Sequence, residues 1–129
     1  MAGTAHRPPF DLRQRTFRFA CLVLRAYPRD AWGHEPSRVV WRQLLRAATS
    51  VGANLEEAQS SASRADFTAR MRLVLREARE ALYWLRLVEA NELAGRERAV
   101  VLRQEAHELV AIITAIMKRL DPVAPRRPR

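Results

Sequence analysis

Four stretches of the chain carry apolar residues at three- and four-residue steps, the repeat of a one-sided helix. In the first, Leu12, Thr16, Phe19, Val23 and Tyr27 form one stripe, widened by Ala20 and Leu24. Asp11 precedes it as an N-terminal cap, and Pro28 ends it, because the residue before a proline is pushed out of helical geometry. The second is predicted from about Ser37 to Ser60, with Leu44, Ala48, Val51 and Leu55 as its seam. The third opens at Ser63, which with Asp66 approximates a capping box, and continues through Phe67, Met71, Val74, Ala78, Ala81, Leu85 and Val88. Glu92 to Gly95 should end it, with Gly95 as its C-terminal cap. The fourth carries Leu102, Ala106, Leu109, Ile113, Ile116 and Leu120, and Asp121-Pro122 stops it. No stretch alternates apolar and polar positions long enough for a sheet. Long amphipathic helices on short connections become antiparallel neighbours, so the expected fold is all-α, an antiparallel up-down four-helix bundle over residues 10–121. Residues 1–9 read as a disordered lead and 122–129 as a disordered basic tail.

The second helix does not follow the simple pattern. In QLLRAATSVGANLEEA (Gln43 to Ala58), a polar stripe of Gln43, Arg46, Ser50, Asn54 and Glu57 runs beside the apolar seam rather than opposite it. Ser50, Gly52 and Asn54 are poor helix formers. A helix that tolerates them is expected to have close neighbours, with polar groups paired between helices. Folding the chain at a turn near Ala62 places Arg46 opposite Ala78, within a turn of Glu77 and Glu80. The planar fork of arginine suits a carboxylate there. Ser50, Asn54 and Glu57 would continue this structural polar layer toward the turn, and Gln43 would approach Trp84. The expected role is to hold helix register in a buried or half-buried pair; the alternative is that all three charges point to water.

At 129 residues the chain suffices for one core. The net charge is +9 and the pI near 11.4. Arg7, Arg126, Arg127 and Arg129 lie outside the bundle, yet the remainder is still basic. Such a surplus fits nucleic acid, anionic lipid or an acidic protein. Lys118 is the only lysine, so a general preference for arginine is an equal explanation of the residue type. Arg38 and Arg42 on the second helix, and Arg72, Arg76 and Arg79 on the third, are either phosphate-contacting stripes or solvated faces. Without aromatic interleaving or a groove-reading motif, RNA or DNA would be held through phosphates with little sequence selectivity.

No catalytic, cofactor-binding or metal constellation emerges. Gln104-x-x-His107 is the nearest approach to the Glu-x-x-His of a di-iron bundle, and its first position is an amide. His107 reads as solvated, His34 as a loop or capping residue, and the lone Cys21 as a small core residue. No phosphate loop is present. The expectation is a protein that is not an enzyme and uses no cofactor. No stretch could span a bilayer and no leader is recognisable, so the cytoplasm is expected. Trp41, Leu45, Leu75, Leu82 and Ile112 exceed what one seam needs, and belong either to the four-helix core or to an interface.

QLLRAATSVGANLEEA, then SRADF (Ser63 to Phe67), then EAREALYWL (Glu77 to Leu85) resemble the four helix bundle protein family, also called the 23S rRNA intervening-sequence protein family. The resemblance runs from about Phe10 to Leu120; the family usually has Ser where Ala47 stands. It implies a four-helix bundle assembled as a five-membered ring, hence a homo-oligomer, with most members lacking an assigned activity. The family is similar to the accessory variability protein of diversity-generating retroelements, a basic pentameric bundle that works with a reverse transcriptase and binds nucleic acid. Two functions follow as expectations: an oligomeric scaffold recruiting another macromolecule, such as a protein partner, or a nucleic-acid-binding accessory protein.

Overall fold

The computed structural model describes residues 11–29 and 33–121. The expectations for the lead and the tail lie outside the described residues. The first helix, α1 (Leu12–Ala26), opens where the Asp11 carboxylate accepts a hydrogen bond from the Gln14 amide at 3.1 Å. The second, α2 (Glu35–Ala58), starts two residues earlier than Ser37. Pro36 sits inside its first turn, where an amide would have no partner anyway. His34 is the cap, its Nδ1 accepting from the Ser37 amide at 3.3 Å. The third, α3 (Arg64–Ala90), is capped by Ser63, whose hydroxyl accepts from the Asp66 amide at 3.0 Å. Asp66 does not close the reciprocal half of a capping box on Ser63; it reaches one residue further back and accepts from the Ala62 amide at 3.3 Å.

The end of α3 differs from the expectation. Gly95 does not cap α3; it is the N-cap residue of α4 (Arg96–Leu120). The cap of α3 is a Schellman motif, in which Leu93 donates to the Val88 carbonyl at 2.9 Å and Glu92 to that of Glu89 at 3.3 Å. The left-handed position within it is held by Glu92, with φ of 52°. A sequence search for glycine misses this site, because a carboxylate-bearing residue occupies the conformation that glycine takes at least cost.

The helices form a closed square in which α2 packs on α1 and α3, and α4 on α3 and α1. Their order is antiparallel throughout. Arg13, early in α1, meets Glu56, late in α2; Arg72, early in α3, meets Asp121, just past α4. The fold is thus the all-α up-down four-helix bundle, with no strand among the described residues. No described helix is long and apolar enough to cross a membrane.

The core takes Phe19 and Val23 from α1, Trp41, Leu44, Val51 and Leu55 from α2, Met71, Val74, Leu85 and Val88 from α3, and Leu102, Leu109 and Ile113 from α4. On α4 the seam continues through Met117, not Ile116, which is only half-buried. Cys21 is half-buried at the edge of α1 rather than inside the core. Trp41 is wholly enclosed: its indole N–H donates to the Leu93 carbonyl at 3.1 Å, and the Tyr27 ring stands edge-on to it at 5.9 Å. That disposes of Trp41 as an interface residue. Leu45, Leu75 and Leu82 also pack against the core. Among the described residues the large apolar side chains left in solvent are others, namely Phe17, Val39, Leu73, Tyr83, Val101 and Leu24, the last of which does not widen the buried stripe of α1 as expected. Gly52 has a neighbour on α1: a Cβ there would meet the Oγ1 of the fully buried Thr16 at 3.4 Å, an ordinary van der Waals contact.

Candidate functional site

The turn between α2 and α3 fixes which residues of the two helices face each other, and it brings Arg46 to both glutamates. One guanidinium nitrogen lies 3.3 Å from Glu77 Oε2, the other pairs with Glu80, and Nε donates to Gln43 Oε1 at 3.3 Å. Glu80 also accepts from the Trp84 indole N–H at 3.1 Å. The cluster sits at the rim of the seam. Glu77 is 16% exposed, but Arg46 is 48% exposed, so its outer edge remains in water. The reason is angular: the apolar seam and the small residues Ala47 and Ala81 occupy the interior, which leaves the next stripe the border.

Of the rest of the polar stripe only Glu57, at the turn end, reaches the facing helix. Ser50 donates to the Arg46 carbonyl at 2.7 Å and Asn54 to the Ser50 carbonyl at 2.9 Å, both within α2. Short polar side chains reach the carbonyl four residues back more readily than a partner across a helix gap. Gln43 turns to Arg46, and Trp84 takes Glu80 as its partner. Glu57 is mostly solvated, 4.0 Å from Arg70.

The basic stripes are not uniform either. Arg38 pairs with Glu35, one turn earlier, and Arg72 pairs with Asp121. Arg42, Arg76 and Arg79 are exposed and make no ion pair among the described residues. Arg86, one further step along α3, is in the same condition. An aromatic residue does interleave this face: Tyr83 is 50% exposed, four residues after Arg79 and three before Arg86. The i, i+4 spacing of Arg79 and Tyr83 was legible in the sequence as a shared face. Its solvent exposure was not, since Tyr83 stands inside an otherwise apolar run.

A second charged cluster joins α1 to α4. Arg15 donates to both carboxylate oxygens of Glu105 at 2.8 and 2.9 Å and reaches Glu108 at 2.6 Å. The hydrogen bonds to Glu105 hold the Arg15 guanidinium above its ordinary basicity, against the opposing effect of burial. Beside it lies an open groove of about 730 Å³, with Leu22, Val101 and Gln104 among its walls. His107 on its edge is exposed. Among the described residues no three side chains of metal-ligating type converge.

Comparison with known proteins agrees with this architecture. The model of the 23S rRNA-intervening sequence protein matches residues 10–115. A solved structure of a protein of unknown function, from the S23 ribosomal protein family of Bacteroides thetaiotaomicron, is 31% identical and superposes with a TM-score of 0.74. The match covers 83% of this chain and 98% of that one. No curated protein matches the chain. With a bundle of this topology and a family match over most of its length, the chain belongs to the 23S rRNA-intervening sequence protein family.

Proposed function

We propose that the protein is a non-enzymatic, self-associating four-helix scaffold that acts in the cytoplasm, its homopentameric ring being the assembly implied by the family resemblance. The observation that carries this reading is on α1. Phe17 and Leu24, seven residues apart on one helix face, are 71% and 53% exposed. Two large apolar side chains on one line are what a copy-to-copy contact would cover. Support for a non-catalytic role comes from the carboxylates: Glu77, Glu80, Glu105 and Glu108 each hold an arginine, which leaves them poorly placed as acids or bases. The test is mass by light scattering at micromolar concentration in moderate salt. A multiple of the chain mass is expected, falling to one chain in a Phe17→Glu, Leu24→Glu double variant. A strictly monomeric native protein ends this reading.

A second reading, phosphate-directed binding of nucleic acid, is favoured by the unneutralised Arg76 and Arg79 on the outer face of α3. Affinity would fall as salt rises, with little sequence preference. A reverse transcriptase as protein partner, an implication of the resemblance, belongs to this reading. A gel shift with mixed RNA and DNA across a salt series tests it, and absence of binding at low salt rejects it.

A further inference from the structure

We propose that the outer face of α3 binds single-stranded nucleic acid, with the Tyr83 ring as a stacking platform for one base and Arg76, Arg79 and Arg86 as its phosphate contacts. This inference rests on the phosphate-directed reading and adds to it a strand form and a base-contacting residue. A helix turns about 100° per residue, so these four side chains fall within roughly 80° of arc, over about 15 Å of length. A half-exposed aromatic ring flanked by guanidinium groups combines the two elements of single-strand recognition: a π-face that any base can cover and positive charge along the backbone.

The neighbouring acids are already engaged. Glu77 and Glu80 face Arg46, Glu89 faces Arg103, and Asp121 faces Arg72. The three arginines make no ion pair among the described residues, so an incoming anion need displace no acid from them. The ring is also braced. Tyr83 stands edge-on to Trp84, with centroids 5.2 Å apart and planes at 72°. Trp84 is in turn tied through its indole N–H to Glu80, which Arg46 clamps from α2. The polar cluster at the rim of the α2–α3 seam thus holds the side chain beside which the base would stack, and limits the entropy lost on binding. A duplex keeps its base faces stacked on one another, so only an unpaired strand can use the ring.

Fluorescence anisotropy on the full chain tests this with labelled oligouridine and oligothymidine of about 20 nucleotides and with a duplex of the same length. Both single strands should bind more tightly than the duplex and within a few-fold of each other, since neither stacking nor phosphate contact reads the sugar. Tyr83→Ala should weaken single-strand binding by about 5- to 150-fold, leave the duplex unchanged, and leave the melting curve intact. Tyr83→Phe should retain the affinity. Arg79→Gln should lower the salt slope by about 0.7. If the native protein binds none of the three at low salt, the phosphate-directed reading itself fails. If it binds strand and duplex alike, and Tyr83→Ala changes nothing, only the stacking inference fails. A Tyr83→Ala variant with altered assembly mass and unaltered strand affinity would assign the ring to a contact between copies and overturn the proposal.

Discussion

The α2–α3 seam and the α1–α4 seam close the same square by different means. The first runs along helices of 24 and 27 residues that approach most extensively, with Ala47 and Ala81 fully buried. Small side chains let the backbones come together, so charge is confined to the rim, where Arg46 remains half in water. The second seam has only the 15-residue α1 to set against α4, and approaches least. Arg15, Glu105 and Glu108 stand where small apolar residues would close it, and a groove opens beside them. Two ion-pair clusters of similar composition thus differ in weight. One finishes a seam already closed by packing; the other adds a tie, beside the shared core, to a seam that packing leaves more open.

Trp41→Ala should erase the contrast with the largest effect, because Trp41 supports α1 through Tyr27 and the α3–α4 turn through Leu93. Losing a fully buried indole should lower unfolding free energy by about 3–5 kcal/mol, read from urea melts. Arg15→Ala should come next and sharpen the contrast. It strands a largely buried Glu105, costs about 1–3 kcal/mol, and should speed amide exchange in α1 while sparing α2. Arg46→Ala should cost less, about 1 kcal/mol, as its guanidinium is half solvated. If Arg46→Ala proves the more damaging of the two, the ranking of the seams is reversed. Glu92→Gly, at the turn joining the seams, should stabilise the fold by about 1 kcal/mol by relieving a left-handed residue, seen as a higher midpoint with an unchanged denaturant slope.

The smallest effect concerns pH at the α1–α2 border. The hydrogen bond from Arg13 holds the Glu56 carboxyl below its ordinary range, against the opposing effect of desolvation and with a smaller contribution from the Arg13 charge. A group whose folded pKa is depressed contributes stability above the unfolded value and loses it as pH falls through the folded one. Thermal melts from neutral to acid pH should therefore show a shallower decline for Glu56→Gln than for the native chain. Because the pair is exposed, the difference should be slight.

The sites separate what is local from what is not. The helix starts at Asp11 and Ser63 and the facing of Arg46 with Glu77 and Glu80 could be read beforehand, since caps and hairpin register depend on near neighbours in sequence. Ser50 and Asn54 depart from the expected pairing between helices, because a carbonyl on their own helix lies within closer reach than a partner across the gap. Glu92 was hidden because left-handed geometry was sought at the nearest glycine, Gly95. Tyr83 stands among apolar neighbours, and its exposure depends on where α2 and α4 leave α3 uncovered.

By itself the amino-acid sequence determined the number of helices, their order and their core-facing stripes, because the 3.6-residue repeat and the capping residues act within a few positions of one another. Only the tertiary structure decided which charges are spent on partners and which stay free, which apolar side chains remain in solvent, and which seam stays open. Those outcomes depend on the distance between helices, and that distance is set when all four faces are packed at once rather than by any one of them.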